Sequence, residues 1–355
     1  MKKFFKILFL VILISVITFE IYNYKTEIVN FISDVKVEIN DYFADESDGY
    51  YTEKEIQTLL KTNDTVINGE YVGKLDNYYY EQLDTYSKII YKSILNNIDE
   101  LKKGEYEIEI PNSLADVVKE EKEGAINLVF QNAWNAFRLD HPEAFDINVK
   151  NIYLTTKTTT IGKKTKYEFS LNSKEKRDIE KSEEILNKVK QKKEEIINDI
   201  KDENNFSKIL NVHNWMVDNI EYDRTMNNPN NNNIYGALVE NNVVCEGYAK
   251  TFKYLLDELE IPCVIVCGDG INDKGEKEKH AWNEVYLNGN WYSVDVTWDD
   301  PLIIGGGKLT KELRYKYFLV GKSEIEKNHF QNGKMSENIE EIEFKYPELS
   351  ENNYK

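Results

Sequence analysis

Stretches with a clear apolar period alternate along this chain with stretches that have none, and the period assigns most of the elements. From Leu75 to Leu101, apolar residues fall at 75, 79, 83, 86, 90, 94, 98 and 101, the spacing of a helix buried on one face. A second helix is expected from Ser113, an N-cap residue type, to Phe137, where Asp140-His141-Pro142-Glu143-Ala144-Phe145 breaks it. Asn151 to Thr159 and Lys166 to Leu171 read as a β-hairpin around Ile161-Gly162-Lys163-Lys164. Ser173 to Glu203 is dense in lysine and glutamate, with Ile179, Ile185, Leu186, Val189, Ile196 and Ile200 in one stripe: a long amphipathic connecting helix. Phe206 to Ile220 is helical by the same test, and the asparagine run from Asn227 to Asn233 is a surface loop.

Beyond that loop, Tyr248, Phe252, Leu255, Leu256 and Leu259 form one face of a further helix, with Lys250, Lys253 and Asp257 opposite. Two strands follow, around His280-Ala281-Trp282-Asn283 and Trp291-Tyr292-Ser293-Val294-Asp295. Between them Asn288-Gly289 is the dipeptide of a type I′ turn.

The amino-terminal end has a different pattern. Lys2, Lys3 and Lys6 precede an uncharged apolar run from Ile7 to Phe19, and no Ala-x-Ala cleavage site follows. Residues 1–24 are expected to be an uncleaved signal-anchor, with a cleaved signal peptide as the alternative, and polar residues 25–50 a stalk. Either way the remainder works outside the membrane, at the cell surface or secreted. Residues 51–172 would then be an N-terminal α+β domain, mainly helical, 173–204 the connecting helix, 205–325 the domain with the chemistry and 326–355 a tail.

Composition narrows the partners. The formal charge of −18 excludes a phosphate-binding surface as the main function, so no nucleic-acid partner is expected. With three cysteines in 355 residues there is no disulfide framework. Cys263 and Cys267 lie four apart on one expected strand, about 13 Å, too far to bridge or to converge on one ion. Neither a metal nor a cofactor is called for.

Cys245 is in another setting. It opens the Tyr248–Leu259 helix, where unpaired N–H groups and the macrodipole favour a thiolate and can stabilise an oxyanion. If Asn288-Gly289 is the two-residue loop, opposed residues sum to 577, which puts His280 and Asp295 on one face as diagonal neighbours about 7–8 Å apart. Cysteine, histidine and carboxylate in that arrangement make an activated nucleophile with Cys245, His280 and Asp295 as its parts. Tyr222 and Trp215 are candidate oxyanion donors, Trp282 a candidate cleft wall, and Gly247 would admit a substrate backbone. Asp299 is the substitute should Asp295 not hold the imidazole. His141 and His329 have no such context, and His213 reads as a packing or surface residue.

Val244-Cys245-Glu246-Gly247-Tyr248-Ala249, His280-Ala281-Trp282-Asn283 and Trp291 through Asp299 together resemble the transglutaminase-like superfamily, over roughly Phe206 to Val320. Tyr222-Asp223 and Gly236-Ala237-Leu238 resemble its bacterial branch. The resemblance implies an α+β, papain-like core with the nucleophile helix packed on an antiparallel sheet, and puts the family's catalytic residues on Cys245, His280 and Asp295. It implies acyl transfer from a protein or cell-wall peptide, with a cysteine peptidase or a silent surface binding module as alternatives. Calcium-binding domains of the animal enzymes have no counterpart here. Upstream, Ala133-Trp134-Asn135-Ala136-Phe137 with Asp140-His141-Pro142-Glu143 resembles regions that precede this domain in anaerobic Gram-positive proteins, without a role.

Overall fold

A computed structural model describes residues 53–355 apart from 63–64, 68, 120–123, 148–149, 151, 176, 273, 302–308 and 335–340. The expected signal segment, 1–24, and stalk, 25–50, lie outside these residues. Among the described residues no helix is long and apolar enough to cross a membrane.

The helix expected from Leu75 is broken. Its first ten residues form turns and one 3-10 turn, Tyr80–Gln82. Helix α1 (Thr85–Asn96) starts only where the Asp84 side chain accepts the Tyr86 and Ser87 N–H groups, an N-cap that overrides the longer apolar spacing. The spacing still buries Leu75 and Tyr79, because buried Asp140 takes the N–H groups of Tyr79 and Tyr80 at 3.0 and 2.9 Å and fixes the turn. The second expected helix also divides, and α2 (Ala125–Asp140) begins after Gly124 at φ 77°.

Strand β1 (Glu105–Ile110), whose alternation the expected elements omitted, pairs with the hairpin. Strands β2 (Tyr153–Ile161) and β3 (Lys164–Lys174) turn through Gly162 at φ 66°, and the antiparallel order is β1-β3-β2. The connecting helix α3 (Ile179–Asn198) is capped by Asp178. Of its stripe, Val189 and Ile196 are buried, whereas Ile179 is exposed. Helices α4 (Asn205–Asn219) and α5 (Cys245–Glu258) follow.

The second sheet carries strands β4 (Cys263–Ile271), β5 (Lys277–Leu287), β6 (Asn290–Val294) and β7 (His329–Gln331) in the antiparallel order β6-β5-β4-β7. Its β5–β6 register is the expected one: Leu287 faces Asn290, and Asn288 and Gly289 turn at φ 51° and 83°. Helix α5 packs on this sheet, with the Asn283 side-chain amide donating to Ala249 O at 3.0 Å. The molecule is α+β, as expected.

Two expectations about its organisation change. The division near 173 separates the two sheets but not the core, since Tyr79, Phe137 and Leu171 share one apolar cluster with Val264, Trp282 and Trp291. Lys253, almost wholly buried, donates to Leu75 O at 2.7 Å and Cys263 O at 3.2 Å, tying the halves together. Residues 326–355 are not a tail. They supply edge strand β7, bury Phe344 against Tyr79 with ring centroids 5.0 Å apart, and stack Tyr354 on Phe206. Deleting residues 327–355 is therefore expected to lower unfolding stability by more than the ~3–5 kcal/mol typical of one deleted buried aromatic. Urea denaturation measures this; an unchanged midpoint would restore the tail.

Candidate active site

Cys245 is the first residue of α5, and the residue before it, Val244, offers no side-chain cap to the first-turn N–H groups. The loop upstream sets that start. Asp223 accepts from Thr225, from the Asn228 N–H at 3.1 Å and from the Asn231 side chain at 3.1 Å, and Asn231 O takes the Val244 N–H at 2.7 Å. The asparagine run is thus a built support for the nucleophile's helix. Gly247 is part of the same packing. A Cβ there would lie 2.5 Å from Val243 Cβ and 2.7 Å from Asn231 O, so the glycine admits the protein's own chain rather than the substrate backbone expected.

On the sheet, His280 is almost wholly buried and its Nε2 donates to Asp295 Oδ2 at 2.7 Å. Cys245 lines one small cavity with the same imidazole and is among the groups that raise it; with Nε2 taken by Asp295, Nδ1 is the nitrogen left for the sulfur. Asp295, expected inside a strand, lies one residue past the end of β6. Its N–H donates to Tyr317 O and its own carbonyl accepts from Asp299 N–H, which turns the chain away from the sheet. The carboxylate stays on the predicted side. It also accepts from Trp298 N–H at 3.2 Å and from His329 Nε2 at 3.0 Å.

His329 is the residue that sequence reasoning missed. It stands on β7, two strands from His280, opposite Gly270, while His280 stands opposite Gly268. Paired positions share a face, so both imidazoles look across a middle strand that has no side chains there, and their ring centroids come to 5.5 Å. Gly270 further makes room for Trp298, which stacks on His280 at 4.9 Å; a Cβ at 270 would meet that indole at 2.7 Å. The only sequence signal was the Cys267-Gly268-Asp269-Gly270 alternation.

Electrostatics separates two histidine–aspartate pairs. Burial alone would lower His280, but the Asp295 carboxylate and then Cys245 outweigh it and raise the imidazole to about 10. Burial would raise Asp295, yet His280 and His329 hold it well below the usual carboxylate range. This pair is ionic. His213, expected as packing or surface, is wholly buried and bonds Asp299 at 3.0 Å. There burial dominates, lowering His213 to about 3 and raising Asp299, so this hydrogen bond joins neutral partners. Asp299 therefore serves His213 and not His280.

Of the remaining candidates, Tyr222 lines a cavity of about 440 Å³ with His280 and Trp298. Burial, with Cys245 nearby, pushes its phenol up to about 12, so it stays a donor. Trp215 is elsewhere, half-buried in a groove between α3 and α4 with Lys188 and Gln191, and lines neither cavity beside His280. Trp282 is buried beside His280 at 5.9 Å and His329 at 5.0 Å and supports the rings from within the core. A second cavity, about 260 Å³, holds Cys245 together with Arg138, Cys267 and His280. Cys263 and Cys267 are free thiols, as expected. The ligand atoms of His280, Asp295 and His329 lie within 4.8 Å of one another, close enough to share an ion, and in this structure they are engaged with each other.

The arrangement makes two predictions. Gly247→Ala is expected to destabilise by about 1–3 kcal/mol, read by urea denaturation, because backbone must shift to accept the methyl. Asp295→Asn is expected to cost about 3–5 kcal/mol, since it leaves His280 without its charged partner. The pH sign follows: with the folded His280 raised to about 10, its contribution is complete below about 6.5 and lost as pH rises toward 10. Wild-type stability should decline across that window and the variant's should decline less; parallel curves would mean that the pair is not ionic.

Residues 190–296 match the transglutaminase-like superfamily. Mouse and human kyphoscoliosis peptidase are each 30% identical over 132 residues, 34% of this chain; the match spans 20% of their own length. Among solved structures, a TGase is 15% identical with a TM-score of 0.30, over 48% of this chain and 50% of its own. A proposed cysteine protease from Cytophaga hutchinsonii is 18% identical with a TM-score of 0.26, over 42% of this chain and 68% of its own. Likenesses of that degree carry no argument about the site. Through residues 190–296, which hold Cys245, His280 and Asp295 but stop short of His329, the chain carries a domain of the transglutaminase-like superfamily.

Proposed function

We propose that this protein is a cysteine acyltransferase acting on an amide of a protein or cell-wall peptide. One observation carries the reading: a cysteine at a helix start shares a cavity with an imidazole whose Nε2 is held by a wholly buried carboxylate. Cys245 sulfur attacks the amide carbon, and a carbon–sulfur bond forms as the carbon–nitrogen bond breaks. His280, held protonated by Asp295, gives its proton to the departing amine, leaving a thioester on Cys245. A second amine, or water, then attacks the thioester, loses a proton to His280 and releases the thiolate. The first-turn N–H groups of α5 and the Tyr222 hydroxyl are the proposed donors to the oxyanion. The apolar run at residues 7–19 supports placing this chemistry outside the membrane.

Hydrolysis is the second reading, supported by the peptidase name of the mouse and human relatives. The two differ only in what resolves the thioester.

Iodoacetamide labelling at pH 6, mapped by peptide mass spectrometry, is expected to modify Cys245 far ahead of Cys263 and Cys267. Burial pushes Cys267 up to about 12 and Cys263 higher still. His280→Ala should remove that preference, and Cys245→Ala should abolish amine incorporation and peptide cleavage alike. Slow, unselective labelling of all three thiols would point to a binding module without turnover.

A further inference from the structure

The sequence motif without a role, Trp134 to Phe145, forms the wall of a cavity of about 460 Å³ against the start of α5. Trp134, Phe137 and Phe145 give it aromatic sides. Two buried nitrogens in that wall, Arg138 Nε and His141 Nε2, have no hydrogen-bond partner among the described residues; Arg138 Nε always carries a hydrogen, whereas His141 gives its Nδ1 hydrogen to Glu143 at 2.9 Å. The orphaned Arg138 N–H is costly to bury, and a ligand acceptor would satisfy it. Arg138 lines this cavity and also the smaller one that holds Cys245, and its guanidinium pairs with Glu246, which lines both as well. The one ionic partner of Arg138 among the described residues is Glu246, the residue after the proposed nucleophile, at 3.3 Å, and Glu246 is shared with Lys250 at 2.8 Å.

The charge of this region reverses that of the chain. In a protein of net −18, the walls of the two cavities carry Arg138, Lys150, Lys250, Lys279 and Lys334 against Asp146 and Glu246. Lys250 is paired with Glu246 and Lys279 with Asp269, so the lysines set the sign of the local field while Arg138, with its unsatisfied Nε, is the cation placed to take a second carboxylate.

We propose that Arg138 is a specificity residue that binds a carboxylate on the acyl substrate, selecting peptides with an acidic group next to the reacting acyl carbon. The inference rests on Cys245 as the nucleophile and gives α2 of the N-terminal half its role: one wall of the substrate site. Guanidinium–carboxylate pairing supplies both the attraction and the direction of the hydrogen bonds.

The test uses two alkylating probes that differ only in side-chain charge, the α-amides of N-iodoacetyl-glutamate and N-iodoacetyl-glutamine. Their rates at Cys245 are compared by mass spectrometry in the full chain. The glutamate-to-glutamine rate ratio is expected to exceed that of the neutral thiol N-acetylcysteinamide by about tenfold, a charge-assisted contact. Arg138→Gln should bring most of that excess down, and Arg138→Lys should keep part of it. Glu246→Gln should raise the ratio by removing the competing carboxylate, a change that a misfolded chain cannot produce. The imidazolium of His280 attracts the anionic probe in every variant alike, so the response to Arg138 and Glu246 is the decisive reading. A ratio equal to that of the free thiol, or one indifferent to both substitutions, overturns the proposal. The absolute rate with the uncharged probe reads the nucleophile separately: a slow site with a high ratio sinks the acyl-transfer reading and keeps the carboxylate subsite, and a fast site with no preference does the reverse.

Discussion

A buried carboxylate between two imidazoles holds this site together. Asp295 is fully removed from solvent, a position that a lone carboxylate would leave by taking up a proton. It remains ionised because His280 and His329 both point a nitrogen at its Oδ2 and the Trp298 N–H meets its Oδ1. Each of those partners comes from a different part of the chain. The carboxylate therefore needs β5, the turn after β6 and the C-terminal strand β7 to be in place together, and the imidazole beside Cys245 inherits that dependence.

The same constraint explains the size of the structure around the site. A match to the superfamily that ends at residue 296 supplies cysteine, histidine and aspartate. The second imidazole lies outside it, on an edge strand anchored by Phe344 and the Leu349 bridge to Trp291. The N-terminal half is bound in just as firmly, through Tyr79, whose hydroxyl donates to Ile265 O on β4, and through Lys253, buried with three polar partners. Neither flank is a removable appendage, because each covers apolar surface of the sheet that carries His280.

The contrast between the two histidine–aspartate pairs shows how environment sorts chemically identical groups. His280 and Asp295 have a thiol, a second imidazole and a cavity beside them, and keep their charges. His213 and Asp299 sit between α4 and the turn after β6 with aromatic rings of Tyr315 and Phe318 around them, and burial leaves them neutral. The first pair holds a charged imidazole at a cavity wall beside Cys245; the second locks a turn, with Tyr317 N–H on Asp299 Oδ1 at 2.8 Å.

The sequence by itself determined the local pieces: the amphipathic helices, the Asn288-Gly289 turn with its register, the helix start at Cys245 and the His280–Asp295 partnership. These rest on spacing within some fifteen residues, where backbone period and turn chemistry decide which side chains share a face. It misjudged what depends on distant chain. Asp140 shortens the helix expected at Leu75, Asn231 rather than a substrate fills the space at Gly247, and Trp215 lines neither cavity beside His280. Above all, His329 became part of the site, and residues 326–355 part of the fold, only through pairing with β4 from some sixty residues away in sequence. Which strand takes a sheet's free edge depends on what apolar surface it covers there, and no local period records that choice.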